Sequence, residues 1–122
     1  MKSYVLIAVS TAGFFLATPA QAGDAAAGAK VFKKCKACHY VDRKKNKSGP
    51  HLVNVVGRAA GVVEGFKYSK AMAGSGLVWD EVTLTGFLAK PKKYLKGTKM
   101  SFVGLKKESD IANVIAYLKA AK

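Results

Sequence analysis

Residues 33–40 read KKCKACHY: two cysteines three positions apart, with a histidine directly after the second. Nothing else in the chain constrains its fold so strongly. Cys35 and Cys38 are the only cysteines, and His51 is the only histidine besides His39. A disulfide across two intervening residues closes a tiny loop and adds little stability. A redox dithiol belongs to a βαβ setting, and no strand–helix alternation is present. Structural zinc takes four ligands, and only His51 remains nearby. C-x-x-C-H is also the attachment site of c-type haem. Thiols at this spacing can bond the two vinyl-derived carbons on one side of a porphyrin, and the next histidine then lies under the iron. Cys35, Cys38 and His39 serve that chemistry with nothing left over. One covalent haem c is therefore expected, with a chain folded around it.

The N-terminal residues, MKSYVLIAVSTAGFFLATPAQA, point to export. Lys2 supplies a positive start, Val5 to Leu16 a mostly apolar run, and Ala20-Gln21-Ala22 the small residues a signal peptidase accepts. A spanning helix needs ~20 apolar residues, so this run is too short for a membrane anchor. Residues 1–22 are read as a signal peptide cleaved after Ala22, with the product in the periplasm. Residues 23–122 then form one monohaem domain. Of 21 Lys and Arg only Lys2 is lost, and none of seven acids, so a formal net charge of +14 becomes +13. A basic domain suits nucleic acid, an acidic membrane surface or an acidic protein. Export and the spread of lysines along the whole chain exclude nucleic acid.

Asp24 can cap a helix running to Phe32 and into the attachment motif. Ser109 can cap a last helix, with Asp110 in its first turn and Ile111, Val114, Ile115 and Leu118 at helical spacing. Val82 to Ala89 is a weaker helical segment closed by Pro91. Glycine-rich connections lie between, and no strand alternation is long enough for a sheet. The expected fold is all-α, a few helices and long loops wrapped around the haem. Long loops ordinarily count against a compact domain. Here the haem's apolar faces supply the missing core.

The stretches "GDAAAGAKVFKKCKACH", "GPHLVNVVGR", "GFKYS", "VW", "PKKYLKGTKMSFVGLKK" and "IAYLKAA" stand in an order that resembles the class I c-type cytochromes, close to mitochondrial cytochrome c and its bacterial periplasmic relatives. The resemblance covers the whole mature chain and implies a cytochrome c fold. It implies that Gly28 lets the first helix cross the last near Tyr117, and that the Pro50 carbonyl fixes the ring of His39. It further implies that Arg58, Tyr68 and Trp79 address the buried haem propionates, with Thr98 and Met100 on the distal side.

The second axial ligand must come from Met100, Met72, His51 or a lysine. Met72 lies in AMAGSG, a small-residue loop, and reads as filler. His51 reads as an ordinary loop histidine. Met100 follows a Pro91-anchored segment and precedes Phe102 and Val103, which suits a thioether against a dry haem face, and the resembled family has its ligand there. His/Met ligation raises the potential and fills both axial positions. The expected function is single-electron transfer in a respiratory or photosynthetic chain, by a monomer with no membrane anchor and no enzymatic activity. By resemblance, partners are acidic redox proteins: a bc1-type complex, a terminal oxidase, a reaction centre or a dehydrogenase. Lys34, Lys47, Lys92, Lys93, Lys99, Lys106 and Lys107 match or neighbour the resembled family's basic ring around the haem edge, which steers such partners. The alternative is a haem peroxidase or gas-binding protein with an open sixth position. An uncleaved signal would instead give a membrane-held cytochrome. Three positions depart from the mitochondrial pattern. Phe87 replaces a tyrosine that often bonds the ligand sulfur, Met72 replaces an asparagine of a buried water network, and Lys96 replaces a proline before Gly97.

Overall fold

The chain leaves Asp24 in an extended conformation, and the Asp24 carboxylate accepts the amides of Ala26 and Ala27 at 2.9 and 3.3 Å. Two of the orphan donors of a helix N-terminus are thus satisfied, and α1 (Ala25–Phe32) begins where the sequence predicts. The computed structural model describes residues 23–121 together with Ser10 and residues 12–14. The expected leader, 1–22, falls outside the described residues save for those four positions.

Four further helices follow: α2 (Lys70–Ala73), α3 (Glu81–Ala89), α4 (Pro91–Tyr94) and α5 (Glu108–Ala120). Asp80 caps α3 by accepting Thr83 N–H at 2.8 Å. Pro91 does more than end α3. Lys90 turns the chain out at φ −153°, and Pro91 opens α4 at its first position, where a missing N–H costs nothing. Ser109 does not cap α5. Lys107 is still extended, so the helix starts at Glu108 and no side chain bonds its end. Glu108 and Asp110 in the first turn face the positive end of the helix dipole instead.

α1 crosses α5 at Gly28. A Cβ there would meet the Asn113 carbonyl oxygen and stand 2.8 Å from Tyr117 Cβ, so only glycine allows this approach. Phe32 and Tyr117 pack with ring centroids 5.1 Å apart, and Asn113 Oδ1 accepts the Asp24 amide at 2.9 Å. α3 packs against both α5 and α4. Among the described residues there is no strand. Two isolated bridges, His39–Asn46 and Ala59–Val78, tie the loops. Phe32, Trp79, Leu84, Phe87, Ile111, Val114 and Leu118 belong to one buried cluster.

Candidate haem-binding site

The helices and loops border a cavity of about 240 Å³ whose walls include the apolar side chains of Phe32, Leu52, Phe87, Leu105, Val114 and Leu118. All nine residues singled out from the sequence line it: Cys35, Cys38, His39, Pro50, Arg58, Tyr68, Trp79, Thr98 and Met100. The cysteines arrive through turns that continue α1. Cys35 N–H bonds the Phe32 carbonyl, and the amides of Cys38 and His39 bond the Cys35 carbonyl at 3.1 and 3.0 Å. Cys35 is half-buried, Cys38 is exposed, and both are free thiols. Burial pushes the Cys35 thiol up, and Cys38 beside it adds to the rise.

His39 is buried at 9% exposure, and its Nδ1 lies 2.6 Å from the Pro50 carbonyl oxygen. A carbonyl only accepts, so Nδ1 carries the proton and Nε2 keeps a lone pair. Burial, chiefly, holds the imidazole below the ordinary histidine range, which favours that neutral form. The Pro50 bond opposes this, and the charges of Arg58 and Lys47 add to it. Gly49 lies against the ring, and a Cβ there would stand 2.5 Å from His39 Cε1.

Arg58 donates from Nη1 to the Val53 carbonyl and from Nη2 to the His51 carbonyl, both at 3.0 Å. Its Nε is buried with no partner among the described residues. A buried, charged donor left unmet beside a cavity calls for an anionic acceptor. Tyr68 accepts the Val63 amide on its hydroxyl at 3.0 Å, which leaves the hydroxyl hydrogen to donate elsewhere. Trp79 is buried, and its backbone pairs with residues 57 and 58 through Gly57 N–H and the Arg58 carbonyl. Thiols for attachment, a proton-free His39 Nε2 and an unmet guanidinium donor for a propionate together fit haem c.

Thr98 Oγ1 accepts the Met100 amide at 3.3 Å, closing a turn that carries the methionine to the cavity. Met72 is not on a loop. It sits in α2, capped by Ser69 through a 3.1 Å bond from the Met72 amide, and it too lines the cavity. Two supporting positions have no role assigned from the sequence. Gly49 underlies the His39 ring. Asn46 joins two loops by accepting His51 N–H at 3.0 Å and donating to the Glu64 carbonyl at 3.2 Å. The seven lysines expected at the haem edge are all exposed. Lys47 is also engaged structurally, donating to the Lys36 carbonyl at 2.8 Å and standing 4.1 Å from the centroid of the Tyr40 ring.

Residues 25–122 match the family described as Cytochrome c. Cytochrome c2 of Rhodomicrobium vannielii is 49% identical over 119 residues, covering 97% of this chain and 95% of the relative. Cytochrome c2 iso-2 of Magnetospirillum fulvum is 56% identical over 90 residues, 74% of this chain and 94% of the relative. The solved structure of cytochrome cH from Methylobacterium extorquens superposes with a TM-score of 0.77 at 48% identity, over 80% of this chain and 99% of that one. The fold, the C-x-x-C-H spacing and these likenesses agree: the chain belongs to the cytochrome c family, and its cofactor is covalently attached haem c.

Proposed function

We propose that the protein is a periplasmic single-electron carrier, exported by residues 1–22 and working as residues 23–122. Cys35 and Cys38 would hold the haem, and His39 and Met100 would supply the ligands to its iron. The observation that carries this reading is the convergence of both thiols, the proton-free His39 Nε2 and the Met100 side chain on one largely apolar cavity. When bound, the haem supplies a one-electron iron couple. The chain's own groups do the rest. Pro50 orients His39, Arg58 offers a charged donor to a propionate, and Phe32, Leu52, Leu105 and Leu118 exclude water. With His39 and Met100 both ligating the iron, no site would be left open for substrate, as a carrier and not an enzyme requires. Among the described residues no helix is long and apolar enough to cross a membrane. The exposed lysines then steer it to acidic partners, such as a bc1-type complex, a terminal oxidase, a reaction centre or a dehydrogenase.

Met100→Ala and Met72→Ala test the ligand assignment, since both methionines line the cavity. Met100→Ala is expected to lose the ferric charge-transfer absorption of an iron–thioether bond, to bind cyanide quickly and to lower the potential. Met72→Ala keeps all three wild-type properties. The reverse pattern overturns the assignment, and fast cyanide binding by the wild type overturns the carrier reading.

A further inference from the structure

Sequence reasoning gives His51 no role, yet the structure ties it into the support of Arg58. The His51 N–H donates to Asn46 Oδ1 at 3.0 Å, and its ring Nδ1 accepts the Val53 N–H at 3.3 Å. The two carbonyls of this small turn, those of His51 and Val53, are the two that hold the Arg58 guanidinium at 3.0 Å each. An amide N–H can only donate, so the bond from Val53 exists only while Nδ1 carries no proton. The charged groups acting on the ring are Arg58 and Lys44, both cations.

We propose that His51 is a positioning residue for Arg58. Its neutral imidazole closes the 51–53 turn, and its protonation opens that turn and adds a positive charge beside the guanidinium. The proposal rests on the reading that Arg58 faces a haem propionate. Reduction removes one positive charge from the iron, so the reduced protein holds the His51 proton more tightly. An electron from the donor is accompanied by part of a proton from water, which forms an N–H bond at Nδ1, breaks the hydrogen bond from the Val53 N–H and breaks no covalent bond in the chain. By linkage, the potential rises as pH falls through the titration of His51. Burial first, and then Arg58 and Lys44, hold that titration below the ordinary histidine range. The rise therefore lies below about pH 6.5.

The test is the reduction potential of the haem-loaded wild type, His51→Asn and His51→Ala between pH 4.5 and 8, with NMR titration of the His51 ring in both redox states. Asn keeps a side-chain acceptor for an amide two residues on and cannot titrate. His51→Asn is expected to match the wild type at pH 8 and to lose the acid rise. His51→Ala differs from the wild type already at pH 8. The ring of the wild type titrates at higher pH in the reduced state. An unchanged acid rise in His51→Asn, or identical His51 titration in both states, overturns the proposal while the carrier reading stands. A wild type without a reversible one-electron couple overturns both.

Discussion

In an ordinary helix, exchanging glycine for alanine stabilises by about 1 kcal/mol, because alanine loses less backbone freedom on folding. Gly28 is expected to show the opposite sign. An alanine Cβ there would occupy the space of the Asn113 carbonyl oxygen and stand 2.6 Å from its carbon and 2.8 Å from Tyr117 Cβ. Comfortable carbon contacts lie at ~3.5–4 Å, so α1 and α5 must part by about 1 Å. A gap of ~0.5–1 Å forfeits a quarter to a half of each contact's attraction. Phe32, Val114 and Leu118, buried in the same cluster, are each worth roughly 2 kcal/mol of burial. Losing about a third of that in each costs about 2 kcal/mol. The Asp24–Asn113 bond, 2.9 Å across the same crossing, adds about 1 kcal/mol. Against the gain of about 1 kcal/mol, Gly28→Ala should destabilise by about 2 kcal/mol. For a domain of this size that lowers Tm by roughly 8–16 °C. The assay is urea and thermal unfolding of the haem-loaded protein, with Ala29→Gly as control. Ala29 is exposed on the same helix, and there glycine should be the worse residue by about 1 kcal/mol. A neutral or stabilising Gly28→Ala would refute the argument that α1 and α5 meet backbone to backbone.

Three further outcomes are expected. Salt should steeply slow the second-order reaction with an acidic oxidase or reaction centre, since exposed charges are screened over ~10 Å at 0.1 M salt. Charge reversal at exposed Lys34, Lys93 or Lys99 should slow association more than reversal at Lys119, which pairs with Glu81 on α3. Equal slowing in stopped flow would mean that net charge alone acts. The Thr83 amide holds the Asp80 carboxyl below the usual carboxylate range. Its contribution is complete above the unfolded value of ~3.9 and is lost as pH falls through the folded value, so Asp80→Asn, which caps without titrating, should show a shallower loss of stability in acid. Gly49→Ala, with a Cβ 2.5 Å from His39 Cε1, should tilt the ring and alter the ferric ligand-field spectrum, whereas Pro50→Ala keeps the carbonyl and should leave that spectrum unchanged.

Resemblance apart, the parts of this fold legible in sequence are those encoded within a turn or two of chain. The attachment motif, the Asp24 cap and the spacing of Ile111, Val114, Ile115 and Leu118 all declare themselves within a few residues. The cap of α5 was not legible, because Ser109 carries the right chemistry and only the path of the preceding loop makes Glu108 the first helical residue. α2 was hidden for another reason. Four residues are too few to show a period, and Lys70–Ala73 reads equally well as loop. Met72 consequently looked like filler, although α2 carries it to the cavity. Asn46 and His51 were illegible because their bonds join loops, one of them across 18 residues, and a polar side chain in a loop carries no mark of its partner.

Four consecutive residues explain why so little regular structure can hold such a site. Within residues 50–53, the Pro50 carbonyl holds His39 Nδ1, while the carbonyls of His51 and Val53 hold Arg58. The His39 ring and the half-buried Arg58 guanidinium are thus fixed by one short segment. The fixing groups are backbone oxygens, which neither titrate nor change rotamer. A side-chain acceptor such as a carboxylate would bring its own charge beside a half-buried cation, and its protonation would add a second pH dependence. Among the described residues, carbonyls leave the charge of Arg58 uncompensated and its buried Nε without a partner. The same choice places specificity in the course of the chain. It requires Gly49 to lie against the His39 ring and Asn46 to hold the His51 amide, so the loops are shaped by the positions of their carbonyls and do not need to be helices.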